Sequence, residues 1–181
     1  MLALTMAFGL LTGCGGKAEE KTAFESWRQS YAAAETHEMQ AVITASDDTR
    51  ACEYTLHYTQ DSEGETVEVL SPETVAKVKA TVKDDGARLE YDGVALDTGT
   101  TLEGRLSPVM ALPTLSRFLK DGHIENLWTE KRDGESFQVT ELENNDGARL
   151  RFWQAADGTP VYAELRSGER VEIKMNLTKF S

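Results

Sequence analysis

Short segments in which apolar and polar residues alternate occupy most of this chain. In one of the last segments Val161, Ala163 and Leu165 share one side, while Tyr162 and Glu164 lie on the other. Successive side chains of a β-strand point to opposite faces, so this period of two predicts strands with one buried and one solvated face. Turn sequences rich in Gly and Asp separate the segments. The predicted strands cover residues 39–45, 52–58, 66–70, 78–83, 89–91, 95–96, 124–131, 136–141, 149–154, 161–166 and 171–177.

Two segments have a helical period instead. Residues 23–35 place Phe24, Trp27 and Tyr31 on one stripe, which predicts an amphipathic helix. The second begins at Ser107-Pro108, where the serine can cap a helix and proline suits its first position. We expect Pro113 to divide this second helix into two short pieces, because proline inside a helix removes a hydrogen bond.

These elements together predict an α+β fold. About ten antiparallel strands in one sheet twist and curl instead of lying flat. The apolar concave face of such a sheet must be covered, and the two helical segments are the available cover. The predicted architecture is therefore a half-barrel with helices on its concave face.

The N-terminal residues carry a targeting signal. Residues 2–13 are uncharged but shorter than the ~20 apolar residues of a membrane-spanning helix. Leu11-Thr12-Gly13-Cys14 is similar to a bacterial lipobox, so we expect residues 1–13 to be a lipoprotein signal peptide and Cys14 to be lipidated. Residues 14–22 would then form a flexible tether before a domain spanning residues 23–181. The alternative is a buried N-terminal element with an accidental cysteine.

Charge and cysteine content narrow the function classes. The chain has 19 basic and 31 acidic residues and a formal net charge of −12. Phosphate binding needs clustered Lys and Arg, so nucleic acid is not an expected partner. With Cys14 lipidated, Cys52 is the single remaining thiol and no internal disulfide can form. Its alternation with Tyr54 and Leu56 predicts a structural cysteine on the apolar side of a strand.

No catalytic or metal-binding motif stands out. His37, His57 and His123 lie far apart and have no metal-ligand spacing, which favours surface or strand-edge positions. The acidic pairs 47–48 and 84–85 lack the spacing of a calcium loop. We therefore expect a protein that is not an enzyme and has no cofactor or metal.

The order helix, meander, paired helices, meander resembles the LolA-like superfamily. That superfamily includes periplasmic lipoprotein carriers, the sigma-factor regulator RseB, mycobacterial lipid-binding lipoproteins and clostridial germination lipoproteins. The resemblance implies binding in an apolar concavity or recognition of a protein partner, without catalysis. The soluble carriers have no lipid of their own, whereas a lipid on Cys14 would tether this chain to the membrane. The anchored members of the superfamily are therefore the closer model. The local stretches that carry the resemblance are residues 71–75, 89–93, 107–108, 159–164 and 170–173.

Two candidate sites follow from the predicted register. Trp153 shares a side with Arg149 and Arg151, so we expect an exposed aromatic beside arginines, as in a protein-binding hot spot. The cavity would be lined by apolar residues of the second helix and of one strand: Met110, Leu115, Phe118 and Phe152.

The resulting functional prediction is an envelope lipoprotein anchored to the outer face of the cytoplasmic membrane. Its partner would be another envelope protein, with sporulation or germination as the suggested process. The alternative is a binder or carrier of lipids or lipoproteins that uses an apolar cavity. Cavity volume separates the two: a carrier needs roughly several hundred Å³ of open apolar space, whereas a partner-binding protein can fill that space with Met110, Leu115 and Phe118.

Overall fold

A computed structural model describes residues 16–46, 50–83, 86–99, 101–102 and 105–181. The predicted signal peptide and Cys14 lie outside the described residues. Within these ranges the chain forms two α-helices, α1 (Gly16–Ala33) and α2 (Ala111–Asp121), together with thirteen strands. The strands are β1 (His37–Ser46), β2 (Ala51–Asp61), β3 (Gly64–Ser71), β4 (Lys79–Lys83), β5 (Gly86–Tyr91), β6 (Val94–Gly99), β7 (Thr101–Leu102), β8 (Arg105–Leu106), β9 (His123–Arg132), β10 (Glu135–Glu143), β11 (Arg149–Ala155), β12 (Pro160–Ser167) and β13 (Arg170–Phe180).

Eleven of the strands form one antiparallel sheet. Its order is β6-β5-β4-β3-β2-β1-β13-β12-β11-β10-β9, so two meanders meet where β1 pairs with β13. The sheet does not close into a barrel, and β6 and β9 are its edges. Both helices pack on its concave side, through contacts of α1 with β9 and of α2 with β2, β10 and β12. The predicted α+β half-barrel with helices covering the concave face is confirmed.

Helix α1 begins earlier than the sequence predicted. It starts at Gly16, so residues 16–22 are helical and their assignment to a flexible tether is wrong. Bonds to the sheet hold this first part: Gln138 Nε2 donates to the Glu20 carbonyl at 3.2 Å, and Thr129 Oγ1 donates to Glu20 Oε1 at 3.3 Å. The predicted aromatic stripe lies farther along the helix, where its rings pack against Phe152 and Phe180 of the sheet in tilted or edge-on contacts.

Pro113 does not break the second helix. A 3₁₀ turn at Pro108–Met110 leads directly into α2, which runs without interruption through Pro113 to Asp121. Pro113 is the third residue of α2, where the backbone N–H would have no intrahelical partner, so a proline costs no hydrogen bond there. Ser107 precedes the 3₁₀ turn as predicted, but its side chain makes no capping hydrogen bond.

Cys52 also differs from its prediction. It pairs with Ala45 and shares the concave face with Tyr54 and Leu56, yet its side chain is exposed. The reason is its place near the end of β2, beyond the part of the concave face that is buried: exposure falls from Cys52 through Tyr54 to Leu56.

Candidate functional site: an open groove on the concave face

The cover of the concave face ends at β5. Along one row of cross-strand neighbours, Met39, Tyr58, Val67 and Ala80 are fully buried, Leu89 is half-buried, and Leu96 is 62% exposed. On the same face, the paired residues Ala41, Leu56 and Val69 are buried, whereas the pair Tyr91 and Val94 on β5 and β6 is 49% and 70% exposed. The apolar surface thus continues past the helices to the sheet edge.

The residues predicted to line a cavity lie under the helices and fill the space there. Met110, Leu115, Phe118 and Phe152 are each at most 3% exposed and belong to the packed core. Phe152 packs against the rings of Phe24 and Trp27 from α1. Of the four predicted residues, Phe118 also reaches the wall of an open cleft beside α2. The covered part of the concave face is therefore closed by this chain's own side chains.

An apolar groove opens where the cover stops, between β2–β5 and the 3₁₀ turn. We call it the concave groove, and its volume is about 220 Å³. Its polar side-chain groups are the hydroxyls of Ser107 and Tyr54, so the surface is suited to apolar groups. The lining residues are Tyr54, Leu56, Val69, Val75, Val78, Leu89, Ser107, Pro108 and Val109.

Trp153 lies on the convex face as predicted, but the prediction that it is exposed is wrong. It is 3% exposed and outside the main core cluster. The Arg132 guanidinium lies 5.1 Å from its ring centroid, and the Tyr162 ring meets it edge-on at 5.0 Å. Its Nε1 donates to Glu130 Oε2 at 3.0 Å, and hydrogen bonds from Arg132 and then Trp153 lower the pKa of Glu130. Neighbouring polar side chains thus bury this tryptophan on the outer face.

The two arginines predicted beside Trp153 are both engaged with carboxylates. Arg149 Nε donates to Glu143 Oε2 at 2.9 Å, and Arg151 Nε donates to Glu141 Oε2 at 2.7 Å. Arg149 lines the cleft beside α2, whereas Trp153 lines a different cavity on the convex face, with Arg132 and Tyr162. The structure therefore does not bring the three residues together as one exposed patch.

This chain is similar to known proteins in its structure. No family model and no curated protein matches the sequence. A LolA superfamily protein from Nitrosomonas europaea superposes with a TM-score of 0.51 at 13% identity, covering 90% of this chain and 92% of that one. A domain named for outer membrane lipoprotein sorting, from Vibrio parahaemolyticus, gives 0.51 at 11% identity with the same coverage.

This chain has the LolA-like fold. A DUF1329 family protein from Desulfovibrio piger superposes on it equally well, with a TM-score of 0.52, 9% identity and 91% coverage of both chains. At these identities the likeness concerns the fold alone, and the resemblance inferred from the sequence is confirmed at that level.

A buried polar cluster lies within the LolA-like fold, and the sequence analysis missed it. Tyr31 Oη donates to Ser116 Oγ at 2.9 Å, and burial raises the pKa of Tyr31 to about 12. One turn farther along α2, Lys120 Nζ donates to Gln60 Oε1 of β2 at 2.6 Å. The His37 ring packs against the Tyr31 ring, with centroids 4.1 Å apart, and is 2% exposed, so the expectation of a surface or strand-edge side chain is wrong for this histidine. Its ring nitrogens are buried without a hydrogen-bond partner, which fits a neutral packed imidazole.

We expect acidification to lower the free energy of unfolding through His37. Burial, and then the charge of Lys120, lower the pKa of His37 in the fold, whereas the pKa of a histidine in an unfolded chain is about 6.5. Below that pH the unfolded chain binds more protons than the folded chain does. The contribution of His37 to the free energy of unfolding is therefore fully present above about pH 6.5 and is lost as the pH falls. Urea unfolding above and below this pH should show that the free energy of unfolding falls on acidification. This fall should be smaller in His37→Phe than in the wild type. The exposed His123→Gln is the matched control, and equal pH dependence in wild type and His37→Phe would contradict the prediction.

Neither a metal-binding cluster nor a membrane-spanning helix occurs among the described residues. No group of three or more His, Cys, Asp or Glu side chains is placed to hold a metal ion in the part of the chain that the structure covers. Neither described helix has the length and apolar character required to span a bilayer.

Proposed function

We propose that this protein is a membrane-anchored, non-catalytic binding protein of the bacterial cell envelope that holds an apolar segment of another envelope protein in the concave groove. The observation that carries the proposal is the continuous apolar surface that runs from the groove to exposed Leu96 and Val94. Soluble proteins keep large contiguous apolar patches covered unless they serve binding.

The size of the groove favours protein side chains over a whole lipid. Its 220 Å³ lie below the roughly 300–1,000 Å³ typical of pockets that enclose a small molecule. The larger space under the helices is occupied by Met110, Leu115 and Phe152. A shallow open groove beside an exposed edge instead suits one or two apolar anchors of a partner.

The alternative function is binding of a lipid or lipoprotein through an acyl chain. The apolar lining of the concave groove favours it, as does the name of the Vibrio parahaemolyticus domain with the same fold. An acyl chain would need only apolar contact and would run along the groove toward Leu96. This alternative predicts a bound lipid that can be extracted from the purified protein.

The proposed location is the outer face of the cytoplasmic membrane. A lipid on Cys14 would anchor the chain there, as the Leu11-Thr12-Gly13-Cys14 pattern indicates. In the fold, α1 begins at Gly16 and packs on the sheet from Glu20 onward, so a lipid on Cys14 would hold the domain close to the membrane. Germination or sporulation remains the suggested process.

Leu89→Glu is expected to weaken partner binding by about tenfold or more, equivalent to about 1.4 kcal/mol. Leu89 is half-buried in the groove wall, so a carboxylate there would have to be desolvated when an apolar segment binds. The measurement is chemical cross-linking in native envelopes, followed by quantification of the same cross-linked protein for wild type and variant.

Leu70→Glu is the matched control. Leu70 is 43% exposed and follows buried Val69 in β3, which places its side chain on the convex face. The control should retain the cross-linked protein at the wild-type level. Retention by both variants would contradict the proposed function, and a lipid extracted from wild type but not from Leu89→Glu would favour the alternative.

A further inference from the structure

The two edges of the sheet differ in their protection. β9 carries Glu125, Glu130, Lys131 and Arg132, and α1 packs against it, with Thr129 Oγ1 donating to Glu20. Charged side chains and a covering helix are the usual means by which an edge strand avoids pairing with another chain. β6, with the sequence VALDTG, has a single charged residue, Asp97, and no described strand pairs with its outer edge.

The segment after β6 turns toward the other meander. β7 and β8 pair with each other, and the Leu106 amide at the end of β8 lies 3.5 Å from Glu172 Oε2 of β13. This hairpin forms a separate two-stranded sheet. Among the described residues it therefore leaves the outer side of β6 open.

The hairpin turn determines which backbone groups of β6 point outward. Asp92 and Gly93 have φ values of 48° and 78°, as in a type I′ turn, and β5 pairs with β6 without a bulge. Tyr91 and Val94, which flank the turn, are then a hydrogen-bonded pair, and such pairs alternate with non-hydrogen-bonded pairs along an antiparallel ladder. Ala95 and Asp97 consequently direct their N–H and C=O groups away from β5.

The side chains of β6 continue the concave groove. Leu96 pairs with Leu89, a lining residue of the groove, and Val94 pairs with Tyr91 on the same face. On the opposite face, Asp97 is bound by Lys83 Nζ at 3.1 Å. An additional strand next to β6 would find apolar neighbours on the concave face and polar neighbours on the convex face.

We propose that the edge of β6 takes an extended segment of the partner protein as an added antiparallel or parallel strand of the sheet. Its alternate residues are apolar and lie over Leu96 and the concave groove, while its backbone pairs with Ala95 and Asp97. An acyl chain cannot satisfy those outward N–H and C=O groups, whereas an extended peptide satisfies them in the manner of β-augmentation. This inference rests on the proposed function, because it specifies how the partner is held.

Ala95→Pro tests the added strand. Proline removes the outward N–H of residue 95, and proline is tolerated on an edge strand when that N–H faces solvent. The probe is a soluble, fluorescently labelled peptide in which Val and Thr alternate between terminal lysines. We expect Ala95→Pro to weaken its binding by about tenfold or more, while Ala95→Ser, which keeps the N–H, binds like wild type. Amide hydrogen exchange of Ala95 and Asp97 in wild type should slow when the peptide is added.

Several outcomes separate this inference from the proposed function. Equal peptide affinity for wild type and Ala95→Pro, or unchanged exchange at Ala95 and Asp97, overturns the added strand. If Leu89→Glu loses the cross-linked partner and Ala95→Pro retains it, the groove binds the partner without strand addition. A dimer in the absence of peptide that Ala95→Pro converts to a monomer shows that the edge pairs with a second copy of this chain, which also overturns the proposal.

Discussion

Trp153→Ala is expected to lower the free energy of unfolding by about 3 kcal/mol, the lower end for replacement of a buried aromatic residue by alanine. The variant loses the packing of a side chain that is 3% exposed, together with its hydrogen bond to Glu130. It also leaves the Arg132 guanidinium and the Tyr162 ring without their common contact. Denaturant unfolding of the purified domain measures the change directly.

Trp128→Ala is the matched control on the same face. Trp128 pairs with Val139, which in turn pairs with Trp153, and the Arg151 guanidinium lies 5.6 Å from its ring centroid. Trp128 is only partly buried, so its replacement should cost less stability. A loss below about 0.5 kcal/mol for Trp153→Ala, within the range of a surface substitution, combined with weaker partner binding, would contradict the packing described above and favour an exposed hot spot.

Trp153 shows what period-two alternation can and cannot predict. The alternation assigned it to the face of Arg149 and Arg151, and that face is correct: Arg151 lies over Trp128, whose pairing partner Val139 also pairs with Trp153. A face opposite the core is not necessarily exposed to solvent, however, because long Arg and Glu side chains lie along the sheet and cover apolar neighbours with their aliphatic parts. The row Trp128, Val139, Trp153 and Tyr162 is such a second apolar layer, in which Val139 is fully buried.

The order of elements was predictable because it depends on local patterns. Alternation, turn residues and helical spacing are read within about a dozen residues, and they predicted the two meanders and both helices. The error at Pro113 has a local cause as well: the expected helix start was placed at Pro108, whereas α2 begins at Ala111 and includes Pro113 in its first turn. The missed start of α1 is different, since contacts with Thr129 and Gln138, distant in sequence, hold those residues.

The candidate site could not be predicted, because it depends on which strand lies at an edge. Leu89, Tyr91, Val94 and Leu96 have the same alternating pattern as strands in the middle of the sheet. Their exposure follows from the pairing of β1 with β13, which joins the two meanders and leaves β6 and β9 as the outer strands. No local signal in β6 distinguishes an uncovered apolar edge from a buried central strand.

Cys14→Ala is expected to move the protein from the membrane fraction to the soluble fraction, with no change in the free energy of unfolding of the domain. Two or three acyl chains give firm anchoring, because each buried CH₂ group contributes ~0.8 kcal/mol. Residue 14 precedes α1, in which Phe24 is the first buried residue among the side chains that the structure describes, so we expect its replacement to leave the packed core unchanged. Fractionation of cells that express the full-length chain, followed by denaturant unfolding of the released protein, tests both parts.

Cys52→Ala is the matched cysteine variant for this experiment. Cys52 is exposed on β2, and within the described residues it forms no disulfide, so its replacement should leave the protein with the membranes. If Cys14→Ala also stays with the membranes after a high-salt wash, the lipobox assignment is wrong or a second anchor exists. If Cys14→Ala is released but its unfolding free energy falls as well, residue 14 contributes to packing, as the alternative of a buried N-terminal element requires. Release without loss of stability therefore distinguishes a lipid anchor from a structural cysteine, because only the anchor acts outside the folded domain.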